Sequence, residues 1–178
     1  MKKLGLTTLL ALGVVALIVG AHGFAGGNKT MVKADTLTGY QEATPAGVST
    51  AATGSFSATI DDDAQTITYE LTYSGLSTPA TQAHVHFGNR FDSGGVSFFL
   101  CGGSKPACPP GTTSEAVVTG TVTPADVIGP ASQGIAPGEF GEIVAAIRAG
   151  VAYANVHSTQ FPAGEIRGQI NDDNQRQP

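Results

Sequence analysis

The chain reads as a mostly β domain, an antiparallel Greek-key sandwich or barrel with one or two short helices. Three observations predict this. Apolar residues alternate with polar ones over several short runs, β-branched residues crowd those runs, and 24 Gly and 10 Pro punctuate the gaps with no three-residue period. A hydrophobic fraction of 41% is too high for a disordered chain. Within 178 residues no second apolar-rich block suggests another domain, so one core suffices.

The first segment stands apart from the fold. Lys2 and Lys3 precede an uncharged apolar run from Leu4 to Gly20, and the small residues Gly23 and Ala25 offer a cleavage site, which together predict a secretory signal peptide over residues 1–25. The run is near the lower length limit for a bilayer span, so an uncleaved N-terminal anchor is the competing reading; with the signal removed, no membrane span is expected. Residues 26–35 are polar and unpatterned and read as a flexible tether. The β domain is expected over 36–171, followed by a polar tail at 172–178.

Inside the domain, Phe56, Ala58 and Ile60 alternate on one face, as do Ile67, Tyr69, Leu71 and Tyr73 beyond the turn Asp61-Asp62-Asp63; this is the pattern of a β-hairpin. Those acids lack the further spaced oxygen ligands of a calcium loop and read as a solvated turn. Ala83, Val85 and Phe87 keep the period of two, Val96, Phe98 and Leu100 repeat it, and β-branched residues crowd Val117 to Val122. Thr123-Pro124-Ala125-Asp126 places a capping hydroxyl before a proline and an acid at the third position, which predicts a helical turn or two ending by Gly129. Between Glu139 and Ala149, Phe140, Ile143, Val144 and Ile147 follow helical spacing, with Arg148 near the end and Gly150 beyond it. Two last strands, Val151 to His157 and Glu165 to Asn171, flank a turn containing Pro162 and Gly164. The sum is about seven or eight short strands.

With 14 acidic against 9 basic side chains the formal net charge is -5, which offers no basic footprint for nucleic acid or an anionic membrane surface. Cys101 and Cys108, the only cysteines, bracket a loop-like stretch and are expected to pair in an exported chain. Closing so short a loop constrains the unfolded chain by about 2–3 kcal/mol, so the bridge shapes a loop more than it holds the fold. No nucleophile elbow or phosphate-binding loop is present, because Gly94-Gly95 and Gly102-Gly103 lack the strand-to-helix context.

Chemistry concentrates on His84, His86 and His157, the histidines left beyond the signal segment. In Ala83-His84-Val85-His86-Phe87 the strand period turns both imidazoles to the face opposite Ala83, Val85 and Phe87. Side chains at i and i+2 start roughly 6.5–7 Å apart, a span that two imidazoles can close around one ion. His157 shares a face with Tyr153 and Asn155 and is the candidate third ligand. An all-imidazole set without free thiolate or nearby Met suits Cu(II) first and Zn(II) second. The bland alternative is a pair of exposed or hydrogen-bonded strand histidines that His157 never meets. In the closing stretch Phe161 to Ile170, Ile166, Gly168 and Ile170 should point inward and Glu165, Arg167 and Gln169 outward. Arg167 and Glu165 are the candidates for binding an anion beside a metal or for supporting its ligands from behind, with pairing of Arg167 to Glu165 or another acid the favoured reading.

Leu37-Thr38-Gly39-Tyr40-Gln41-Glu42, Ala83-His84-Val85-His86, and Ala154-Asn155-Val156-His157-Ser158 with Phe161-Pro162-Ala163-Gly164-Glu165-Ile166-Arg167-Gly168-Gln169-Ile170 resemble the CHRD domain, the module named after chordin. The resemblance runs from about Leu37 to Ile170. It implies an extracellular or cell-surface module without established enzymatic activity. The signal segment makes the expected protein an exported one, whether secreted, periplasmic or cell-surface, and the histidines leave a metal ion or an unknown extracellular protein or polysaccharide as its expected partner. Chordin's growth-factor partnership does not transfer, because this chain lacks its Cys-rich domains. A fainter likeness is to Cu/Zn superoxide dismutase, a Greek-key barrel; it implies His84, His86 and His157 as copper ligands and Arg167 as an anion-guiding arginine. No further histidine is left to bridge copper to zinc, and no His/Asp-rich loop supplies a zinc site. The expected function is therefore an exported binding module holding copper or zinc at a three-His surface site, with a copper-dependent redox enzyme as the alternative.

Overall fold

The structure is a computed structural model that describes residues 29–172 apart from Pro45; the expected signal peptide at 1–25 and nearly all of the expected tail lie outside the described residues. It is mostly β, with strands β1 (Lys29–Thr38), β2 (Thr53–Asp61), β3 (Thr66–Ser74), β4 (Ala80–Phe87), β5 (Gly95–Cys101), β6 (Ala116–Val122), β7 (Ala152–Ser158), β8 (Ile166–Gln169) and the short β9 (Asn171–Asp172). One α-helix, α1, spans Phe140–Arg148, and short 3-10 turns occupy Gly39–Gln41, Pro124–Asp126 and Ala131–Gln133. Among the described residues no helix is long and apolar enough to cross a membrane.

The strands join antiparallel in the order β5-β4-β7-β8-β1-β2-β3-β6, with β9 also paired to β1. Contact between β5 and β6 brings the two ends of this path together into a nearly closed barrel of Greek-key type. A hydrogen bond spans that gap, from Tyr69 Oη on β3 to the Leu100 carbonyl on β5 at 2.7 Å. The β2–β3 hairpin follows the expected alternation. Phe56, Ala58 and Ile60 face Leu71, Tyr69 and Ile67 in register, and all six are buried. Ala83, Val85, Phe98, Val156 and Ile166 fill the interior from the other side of the barrel, and α1 adds Phe140, Ile143, Val144 and Ile147. Asp126 accepts hydrogen bonds from the backbone N–H and hydroxyl of Thr123, so the turn at 124–126 is capped as its sequence suggests. Cys101 and Cys108 form a disulfide.

Three expectations need correction. Residues from Lys29 onward are not a tether: β1 begins there and pairs with β2 from Lys29↔Asp61. Its alternation was hidden by a bulge between Ala34 and Leu37, which buries two residues three positions apart and breaks the period of two. The final strand is divided into β8 and β9 and reaches Asp172, one residue past the expected boundary, where it pairs with Val32. Glu165, Arg167 and Gln169, expected to face outward, are all buried.

Leu71 is fully buried in the hairpin core. Leu71→Ala is expected to lower unfolding free energy by about 2–5 kcal/mol in urea denaturation with little change in slope; a loss below about 1 kcal/mol would contradict this packing. Reduction of Cys101–Cys108 is expected to leave the β far-UV signature intact while lowering the melting temperature modestly, because the closed loop is short.

Candidate metal centre

On β4, Ala83 and Val85 point into the core, so His84 and His86 leave the opposite, outer face of the barrel wall. Antiparallel pairing with β7 sets Asn155 opposite His84, Tyr153 opposite His86 and His157 opposite Gln82. His157 therefore lies diagonally beside His84, within reach of an imidazole. An outer barrel face is ordinarily wet. Here His84, His86 and His157 are only 3%, 8% and 4% exposed, because loops lie over β4, β7 and β8. The expected surface site is thus a covered one.

The three rings converge. His84 and His157 have centroids 4.4 Å apart, His84 and His86 4.7 Å, and His86 and His157 6.1 Å. One ligand nitrogen from each ring lies within 4.8 Å of one from each of the others. Nitrogens each about 2.0–2.1 Å from a shared ion sit roughly 3–4 Å apart, so only small ring movements separate this arrangement from coordination. Backbone carbonyls set the tautomers. His86 Nδ1 is 2.8 Å from Gly94 O and His157 Nδ1 is 3.0 Å from Pro162 O; a carbonyl can only accept, so both Nδ1 atoms carry the proton and both Nε2 atoms present a lone pair. His84 Nδ1, 2.8 Å from His86 Nε2, donates into one of those lone pairs. The other, His157 Nε2, is buried and has no hydrogen-bond partner.

Burial holds all three rings neutral. It pulls His84 down to about 2, helped by neighbouring His157 and His86. It pulls His86 down to about 4 against the Gly94 carbonyl, which favours the imidazolium. His157 is likewise depressed by burial, opposed by its bond to Pro162. Neutral imidazoles with aimed lone pairs are what Cu(II) and Zn(II) bind, and fixing the remote N–H on a carbonyl is how a protein orients such ligands. Three protein donors would leave at least one coordination position to solvent or an exogenous ligand. The orphaned Nε2 and this donor set fit a metal ion of that class.

Arg167 lies behind the histidines, against the far face of Tyr153. It neither pairs with Glu165 nor offers a free guanidinium to an anion. Its Nη1 donates to Asp92 O at 2.9 Å, its Nη2 donates to Asn89 O and Arg90 O at 2.8 Å each, and its guanidinium carbon lies 3.6 Å from the Tyr153 ring centroid. Glu165 is tied elsewhere, its Oε1 accepting from Thr50 Oγ1 and from the backbone and hydroxyl of Ser77, each at 2.8 Å. Tyr153 stacks on His86, with centroids 4.7 Å apart and planes 4° from parallel. Asn155 donates to Glu42 Oε1 at 2.7 Å and to Ile166 O at 2.9 Å. Burial raises Glu42 to about 7, opposed by the Asn155 hydrogen bond and by the charge of Arg167.

Tyr153, Asn155 and Glu42 were not singled out as site residues. The spacing Tyr153, Asn155, His157 at i, i+2, i+4 already put the first two on the face of the candidate ligand. Glu42 sits just after the turn Gly39–Gln41, where no periodicity points toward β7.

A family model for the CHRD domain matches residues 34–170 of the chain. Neither the curated proteins nor the solved structures yield a match.

The burial of these histidines has a pH signature. Below about 6.5 the unfolded chain protonates its histidines while the folded protein keeps them neutral, so stability is lost as pH falls through that window. Glu42 acts oppositely: its folded value lies above the unfolded 4.5, so between about 7 and 4.5 acidification favours the folded form. Three groups outweigh one. The metal-free protein is expected to show a melting temperature that falls from pH 6.5 to pH 4, and falls more steeply in Glu42→Gln; a flat or rising profile in wild type would refute this assignment.

Proposed function

The chain belongs to the CHRD-domain family, and we propose that it is an exported binding module whose covered three-His centre holds one copper ion, with zinc second. The observation that carries this reading is His157 Nε2, a buried lone pair without a hydrogen-bond partner in a cluster whose ring nitrogens lie within 4.8 Å. Leaving a buried acceptor unpaired costs about 1–3 kcal/mol, a cost that a bound cation removes. Copper ranks first because three imidazoles with no thiolate suit Cu(II), and Cu(II) exceeds Zn(II) in affinity for such donors. Export accords with the disulfide, which persists in oxidising compartments, and with the signal-like residues 1–25. The Arg167 guanidinium, already satisfied by three carbonyls, supports a holding role over anion-steered redox turnover.

Calorimetric titration of the metal-free protein with Cu(II) and Zn(II) tests the reading. One ion per chain is expected, with copper the tighter, and His84→Ala, His86→Ala and His157→Ala should each weaken binding by about 100-fold or more. Because all three rings are neutral beforehand, the heat of binding near pH 7 should not vary with the ionisation enthalpy of the buffer. Dissociation constants weaker than millimolar, or unchanged in the variants, would remove the metal from the account. Superoxide turnover by the copper form, abolished in His157→Ala, would move it to an enzyme.

A further inference from the structure

The outer layer of the metal centre is more elaborate than three ligands require. His86 is held on two sides: its edge donates through Nδ1 to Gly94 O, and its face lies parallel to Tyr153. Both supports meet in Tyr153. The Tyr153 hydroxyl accepts the Gly94 N–H at 3.0 Å, so one phenol presses the imidazole plane and positions the residue whose carbonyl fixes its tautomer. Gly94 must be glycine for this, since a Cβ there would collide with the Phe87 carbonyl.

Tyr153 is in turn fixed from its far side by Arg167. A planar guanidinium stacked on an aromatic ring gains cation–π attraction, and its fork of donors matches the converging carbonyls of residues 89, 90 and 92. Those carbonyls belong to the loop that leads into Gly94. A hydroxyl pair, Thr44 Oγ1 and Ser93 Oγ at 2.6 Å, ties the same loop to the segment after Gly39–Gln41. A continuous stack thus runs from Arg167 through Tyr153 to His86, and the loop clamped by Arg167 returns to the same imidazole through Gly94.

We propose that Tyr153 and Arg167 are positioning residues of the metal centre: together they set the ring plane, tautomer and donor direction of His86, and so tune how tightly and with what geometry the site takes Cu(II). This rests on the metal-binding reading above. Arg167 thereby has a defined task in a site whose ion it does not touch. The expected magnitude is that of outer-layer partners of ligating histidines, about 10–100-fold in affinity.

The full chain carries the test, with Cu(II) and Zn(II) as probes. Tyr153→Phe keeps the ring stack and removes only the hydroxyl that holds Gly94; Arg167→Lys keeps a positive charge and loses the fork and the planar stack. Tyr153→Phe is expected to fold as wild type and to bind Cu(II) about 10-fold more weakly, with a shifted copper hyperfine splitting in its EPR spectrum. Arg167→Lys, if folded, should weaken binding further, toward 100-fold; should it fail to fold, Tyr153→Phe alone decides. A purely structural role would lower the melting temperature without altering the hyperfine splitting or the copper-to-zinc affinity ratio. A folded Tyr153→Phe with wild-type affinity and spectrum overturns the proposal while leaving the three-His reading standing. Failure of wild type to bind either metal ends both.

Discussion

The burial of polar side chains on the outer wall of the barrel depends on how Arg167 holds the loop above it. A guanidinium is costly to take out of water unless its donors are satisfied. At 2% exposure Arg167 meets that demand with three backbone carbonyls and an aromatic face rather than with a carboxylate. Because the carbonyls come from neighbouring residues of one loop, the cation is also a clasp that keeps the loop over β4, β7 and β8. Gln169 works alongside it, donating to Gly88 O at the start of that loop and to Gly150 O in the turn between α1 and β7. Beneath the cover the histidines lose water.

That loss of solvent explains both the electrostatics and the apparent frustration of the centre. Three imidazoles in contact cannot all be charged, and desolvation makes even one imidazolium unfavourable, so each is driven toward the neutral form that binds metal. Packing apolar residues at these positions would have stabilised the domain without leaving a lone pair unpaired at His157 Nε2. Ser97 Oγ, Glu165 Oε2 and Gln169 Oε1 are also buried without a partner, but only His157 Nε2 among the four lies within a cluster of three imidazoles.

Much of the scaffold was legible. The β2–β3 hairpin, α1 and the capped turn at Thr123 follow from periods and caps that act within a few residues, and the structure keeps them at nearly the expected bounds. β1 escaped because its bulge shifts the buried set from even to odd positions, so neither half is long enough to show a period. The His84–His86 pair was visible as H-x-H on a strand, and the reach of His157 could be posed as a question of pairing. The partners of Arg167 were hidden for a clear reason: alternation identified its face, but nothing local reveals that a loop starting some eighty residues earlier covers that face.

The sequence by itself determined which side of each strand is apolar, where α1 starts and stops, that two cysteines close a short loop, and that three histidines share the non-core faces of two strands. These depend on interactions between residues close in the chain or on solvent alone. Only the tertiary structure decided that β4 and β7 are neighbours, that a diagonal register brings His157 beside His84, and that the polar face is dry. Pairing partners and loop cover are set by contacts between distant segments, whose free energy is summed over the whole barrel and leaves no imprint on the residues of any single strand.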